Sequence, residues 1–124
     1  MLIDPAASAV SLADELAAVA EPWRPRVVAR LNGQEVKVVR LLGPFVWHRH
    51  AVDELFWVLR GRLRLEIRDA DGERAVALGP GELFVVPRGL EHRPVAEEEV
   101  EVALFEPAGV VNTGDAPASA FTAP

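Results

Sequence analysis

From Arg26 to Phe105 the chain runs in short segments that alternate apolar and polar residues with period two, separated by glycine- and proline-bearing turns. A helix would repeat its apolar residues every three or four positions, so this stretch can only fold as a series of short strands. Leu63, Leu65 and Ile67 alternate with Arg64, Glu66 and Arg68, which predicts one buried and one wet face. Asn32-Gly33, between apolar runs at 27–31 and 35–42, predicts a hairpin with a tight primed turn. Further strands are expected over 54–60, 62–68, 73–78, 82–86, 91–95 and 99–105, with turns at Gly61, Asp69 to Gly72 and Gly79-Pro80-Gly81. Many short strands at regular spacing imply an all-β sandwich or small barrel.

The histidines bring chemistry into this pattern. His48 and His50 are two residues apart, with Glu54 four further on. On a strand, residues i and i+2 share a face; on a helix they diverge by about 200°. The pair therefore converges on one ion only if the backbone there is extended, and Phe45, Val46 and Trp47 favour that conformation. The third and last histidine, His92, follows an apolar run and the turn Pro87-Arg88-Gly89. Three imidazoles and a carboxylate are a complete ligand set for a divalent ion, leaving one or two positions open.

These residues resemble the two motifs of the cupin family. The first motif (Gly, five residues, His-x-His, three or four residues, Glu, six residues, Gly) is matched at His48, His50, Glu54 and Gly61, while Gly43 stands four residues before His48 instead of five. The second (Gly, five residues, Pro-x-Gly, two residues, His, three residues, Asn) is matched at Gly81, Pro87, Gly89 and His92, with Ala96 in the place of Asn. The resemblance implies a double-stranded β-helix, the jelly-roll barrel, with one divalent metal ion on His48, His50, Glu54 and His92. It also resembles the metal site of mannose-6-phosphate isomerase, although the chain has no convincing basic cluster to hold a phosphate. Small cupins commonly pair, and the run Leu55 to Leu59 is apolar on both faces, so a homodimer is expected.

Around the barrel, residues 8–21 are the one good helix candidate. Leu12, Leu16 and Val19 recur at helical spacing, Ser11 is a cap, Asp14 and Glu15 suit the positive end of the dipole, and Pro22 and Pro25 stop it. The expected division is an N-terminal helical segment over 1–25 packing on the barrel, the barrel over 26–106, and a partly flexible C-terminal extension over 107–124. Within that extension Asn112 to Asp115 reads as a fixed turn.

Composition removes several function classes. There are no cysteines, so disulfides and thiolate metal sites are excluded and any ion sits on nitrogen and oxygen. A net charge of −6 without a basic stripe speaks against nucleic acid as a partner. No apolar run reaches the length needed to span a bilayer. The first basic residue is Arg24, with acids at Asp4 and Asp14, so no secretory signal is expected and the cytoplasm is the predicted location.

By strand parity Phe56 and Val58 share the face of Glu54 and are expected to line a small-molecule pocket, whereas Trp47 and Trp57 point away. Phe84 and Arg40 complete the pocket candidates. Arg40, Arg60 and Arg88 are in reach of an anionic ligand, and each also reads as an exposed charge. The acidic run Glu97, Glu98, Glu99 and Glu101 reads as a solvated turn and strand face.

The ion expected here is Zn, Fe, Mn, Ni or Co. With every histidine spent on it and no tyrosine or cysteine present, a separate acid or base must be a carboxylate or metal hydroxide. That favours chemistry done mainly by the ion, such as oxygenation, over isomerisation. Three functions fit: a small oxygenase-like or isomerase-like metalloenzyme acting on an oxygen-rich or carbonyl substrate, a non-catalytic binding or sensing module (for a sugar, for example), or a structural metal site.

Overall fold

The computed structural model describes residues 8–123. A short helix, α1 (Leu12–Ala17), precedes seven strands: β1 (Arg26–Leu31), β2 (Gln34–Pro44), β3 (Glu54–Arg60), β4 (Leu63–Asp69), β5 (Gly72–Leu78), β6 (Leu83–Val86) and β7 (Glu91–Pro107). All pair antiparallel, in the order β1-β2-β7-β3-β6, with β4 between β5 and β7. This is the jelly-roll arrangement expected.

β7 is the strand on which the others hang. The sequence suggests two strands, over 91–95 and 99–105; the structure joins them through Ala96 and the exposed Glu97 to Glu99 into one strand. Its first part pairs with β4 (Ile67 opposite His92), and its second runs between β2 and β3. The acidic residues are thus part of a strand, with their side chains in solvent. Gly61, in the β3–β4 turn, has φ of +89°, and a Cβ there would lie 3.0 Å from the Glu99 carbonyl oxygen. Only glycine lets the turn pass this close to β7. Asn32 and Gly33 both have positive φ, the signature of the primed hairpin turn.

α1 is shorter than the expected 8–21. Ser11 caps it by accepting a hydrogen bond from Asp14 N (3.2 Å), and the chain leaves the helix at Ala18. One and a half turns cannot persist alone, so burial must hold them. Leu16 and Val19 supply it by packing on Val38 with Leu12, Val28 and Leu59. Arg40 anchors the exit by donating to the Val19 carbonyl.

Inside the barrel Val39, Leu41, Phe45, Phe56, Val58, Leu63, Leu65, Leu78, Val100, Val102 and Leu104 form one core with Trp23. Trp23 holds a left-handed φ of 71° and is fixed by two bonds, Trp23 N to Arg40 O (2.8 Å) and Nε1 to Leu42 O (2.9 Å). A bulky residue in that region costs about 1–3 kcal/mol, which the stacking of its ring on Phe45 at 4.7 Å helps to offset.

Candidate metal centre

Three stretches of chain bring four ligands to one point. Glu54 opens β3, His92 is the second residue of β7, and His48 and His50 lie on the extended segment between β2 and β3. That segment is not a full strand. It makes one bridge, His48 N to His92 O (3.0 Å) and His92 N to His48 O (2.9 Å), which sets the two motifs side by side. Gly89 N donates to the His50 carbonyl (2.8 Å) and Asp115 N to that of Arg49 (3.1 Å), clamping the rest. The bridge sets His48 beside His92, and the Gly89 bond fixes the backbone of His50.

One candidate ligand atom from each of His48, His50, Glu54 and His92 lies within 4.8 Å of the others, and all four residues are buried. His48 Nδ1 donates to the Val46 carbonyl (2.9 Å) and His92 Nδ1 to that of Leu90 (2.8 Å). A carbonyl only accepts, so both protons sit on Nδ1 and each Nε2 lone pair faces inward. His48 Nε2 stands 3.1 Å from His50 Nε2, and Glu54 Oε1 lies 3.6 Å from His50 Nε2 and 3.4 Å from His92 Nε2. Metal–nitrogen bonds of about 2.1 Å place neighbouring ligand atoms about 3.0–3.4 Å apart, so the spacing fits a cation at the centre. Glu54 Oε1 and His92 Nε2 have no hydrogen-bond partner among the described residues although fully buried. Buried polar atoms are rarely left so, and a shared ion would satisfy both. The residues present therefore fit a divalent metal.

The electrostatics suit the same ion. Burial, reinforced by neighbouring imidazoles, lowers His48 to about 4 and His50 to about 3, and burial lowers His92 as well. All three are neutral at physiological pH, the form that ligates. Burial raises Glu54 to about 7, and burial together with the neighbouring Glu54 raises Glu106 to about 8.

Behind Glu54 lies a polar cluster that strand parity did not flag. Lys37, 2% exposed, donates to Glu106 Oε1 (3.0 Å) and to the Val110 carbonyl (3.2 Å), with Glu35 Oε1 at 4.0 Å. Val36 and Val38 alternate with Glu35 and Lys37, a pattern in which charged side chains would ordinarily face solvent. In the fold the reverse holds, because α1 covers Val38 from outside. The surviving signal was the lone lysine of an otherwise arginine-based chain, placed in an apolar strand.

A cavity of about 30 Å³, room for about one water, lies beside His48 and Glu54. Its wall is Trp23, Pro25, Val39, Leu41, Phe45, Phe56, Pro94, Leu104 and Asn112. Of the expected pocket residues, Phe56 lines it. Val58 is fully buried in the core below, and Phe84 packs on the edge of that core. Arg40 is on the opposite face of β2, paired with Glu99 (3.3 Å), and does not face the cavity. Trp47 points away, as parity predicts, with Arg68 over its ring at 4.2 Å. The wall residues Trp23 and Asn112 come from outside the strands, where periodicity says nothing.

Residues 36–107 match the family model of the cupin domain (Cupin_2). A cupin-2 domain containing protein from Shewanella frigidimarina is 38% identical in sequence, with a TM-score of 0.74 over 79% of this chain and 93% of that one. An acireductone dioxygenase of Rhodopseudomonas palustris is 49% identical over 47 residues, 37% of this chain; the match spans only 28% of that enzyme's length. Hydroquinone 1,2-dioxygenase from Sphingomonas sp. TTNP3 has the same fold, with a TM-score of 0.71 over 81% of this chain and 74% of that one at 17% identity. With the family model covering more than half its length and both motifs meeting at one buried cluster, the chain belongs to the cupin domain family.

Proposed function

We propose that this protein is a small metal-dependent cupin, with one divalent ion on His48, His50, Glu54 and His92 and oxygenase-like chemistry on a small oxygen-rich substrate. The convergence of four buried ligand atoms, with two imidazoles turned inward by the Val46 and Leu90 carbonyls, carries the reading. The dioxygenases among its relatives support the reaction class. Bound there, the ion supplies Lewis-acid and redox chemistry together with open coordination positions. The chain's own residues hold it: the Nδ1 bonds fix both imidazole planes, the carboxylate lowers the charge at the centre, and Trp23, Phe45, Phe56 and Leu104 keep bulk water away. An isomerase-like reaction of the mannose-6-phosphate type is the less supported form, since no lysine or arginine among the described residues lines the cavity.

The test is elemental analysis of protein purified without added metal, followed by oxygen-uptake assays on enediol and catechol substrates. One ion per chain, lost in His50→Ala with the fold intact, is expected, with Zn, Fe, Mn, Ni and Co all compatible with the donor set. A chain that stays metal-free on loading would refute the reading.

A second reading, a non-catalytic binding or sensing module built on the same ion, is favoured by one observation. Among the described residues no titratable side chain lines the cavity apart from the ligands His48 and Glu54. Tight ligand binding without chemical change would select it. A homodimer in the cytoplasm completes the proposal, supported by the apolar outer face of β3.

A further inference from the structure

The metal cavity is roofed by the end of the chain. After β7, Ala108 N bonds to the Gly33 carbonyl (3.0 Å) and Lys37 holds that of Val110. The chain then crosses the barrel mouth and returns on itself. Asn112 Nδ2 donates to Trp23 O (3.0 Å) and Phe121 O (2.7 Å), Asn112 Oδ1 accepts from Ala123 N (2.6 Å), and Asn112 N donates to Ala123 O (3.0 Å). Phe121 packs edge-on against Trp23 (6.0 Å) and Phe45 (5.3 Å), both cavity walls. On the other side Asp115 accepts from Arg49 N (2.7 Å) and donates to Arg49 O (3.1 Å). Between these anchors sits Gly114, with φ of +52°. A Cβ there would fall deep inside van der Waals contact with the Arg49 carbonyl oxygen and 3.1 Å from His48 Cδ2.

Two facts make this roof consequential. A cavity of about 30 Å³ does not admit an organic substrate while the roof is in place. The attachments before and after residue 111 are also separate: Gly109 has φ of +87°, and Val111 is exposed between the Lys37 anchor and the Asn112 anchor. Segment 112–123 can therefore lift without disturbing β7.

We propose that residues 112–123 form a strap that must leave the barrel mouth before a ligand reaches the metal centre, with Gly114 as its latch. The chamber so opened accepts a neutral ligand with an apolar body and metal-binding oxygens. Its walls are Trp23, Val39, Leu41, Phe45, Phe56 and Leu104, and among the described residues no lysine or arginine lines it to pair with a ligand carboxylate held away from the ion. This rests on the metal reading above and names the gate and the substrate class for that site.

The test uses the full-length chain loaded anaerobically with Co(II), its content checked by elemental analysis. The probes are 4-methylcatechol, neutral at pH 7, and 3,4-dihydroxybenzoate, which adds a carboxylate. In the wild type the association rate of 4-methylcatechol should saturate with concentration, as a step limited by strap opening does. Gly114→Ala should raise that plateau about tenfold, because destabilising the closed strap speeds its opening. Hydrogen exchange should show lost protection at Asn112, Asp115 and Ala123 and unchanged protection in β2 and β7. Should Gly114→Ala fold poorly, Asn112→Ala removes the other anchor and should act in the same direction. The acid should bind at least about tenfold more weakly than the neutral catechol, consistent with a buried uncompensated charge. Equal association rates in wild type and variant, with the amides released, would overturn the strap. Equal affinity for both catechols would overturn the substrate class. A chain that retains no Co(II) would overturn the metal reading and this proposal with it.

Discussion

The two faces of β3 have nearly the same apolar character and opposite fates. Glu54, Phe56 and Val58 point inward and are all but fully buried. Leu55, Trp57 and Leu59 point outward; Leu59 is sheltered by α1, while Trp57 remains 46% exposed beside Leu83 and Val85 on β6. Hydrophobicity along a strand therefore does not say which face is inside. Closure of the barrel decides that, and α1 reaches only one end of the outer face. What remains uncovered is an apolar patch of the kind that marks an interaction surface, which supports the proposed homodimer.

Substitutions on the two faces should separate these roles. Phe56→Ala opens a void between cavity and core and should cost about 3–5 kcal/mol in denaturant unfolding. A loss under about 1 kcal/mol would mean that the inner face is packed more loosely than described. Lys37→Ala leaves the buried Glu106 carboxyl without its donor and should cost about 1–3 kcal/mol, the penalty of an unsatisfied buried polar group. Near-neutral behaviour there would show that water reaches Glu106.

Glu54→Gln keeps the shape of the inner face and removes its charge. Metal affinity should fall at least about tenfold, with the melting temperature of the metal-free protein little changed. Unchanged metal content would eliminate Glu54 as a ligand. The pH dependence follows from the raised carboxyl. In the metal-free protein Glu54 titrates near 7, so below that pH an incoming ion must displace a proton. His48 and His50, lowered to about 4 and 3, are already unprotonated there and add no dependence at pH 6. Affinity should thus rise about tenfold per pH unit up to about 7 and then level off, and uptake at pH 6 should release about one proton per ion. Calorimetry in buffers of different ionisation enthalpy measures this; no proton release would contradict it.

The smallest effect belongs to the outer face. Trp57→Ser should change monomer stability by no more than about 0.5 kcal/mol. In the proposed homodimer it should also shift sedimentation towards the monomer. A wild type that sediments as a monomer at all concentrations would leave the patch without its second copy.

Much of the site could be read from spacing. The i, i+2 relation of His48 and His50, the turn before His92 and the parity of Phe56 and Trp57 are local, and backbone geometry translates each directly into a direction. Arg40 could not be read in this way. Its sequence neighbours place it on a strand near the motifs, but the face it occupies depends on α1 and β7. Asn112 and Phe121 carry no periodic signal and become walls only because the chain end returns over the mouth.

By itself the sequence determined most of the strands, their turns and the donor set, since these follow from residue type and short-range spacing; that 91–95 and 99–105 form one strand did not follow from it. Tertiary structure alone decided that Glu35 and Lys37 face inward, that Glu106 backs Glu54, and that Gly114 closes against Arg49. Each of those contacts joins residues far apart in the chain, where burial depends on which surfaces meet and not on the neighbours along the backbone.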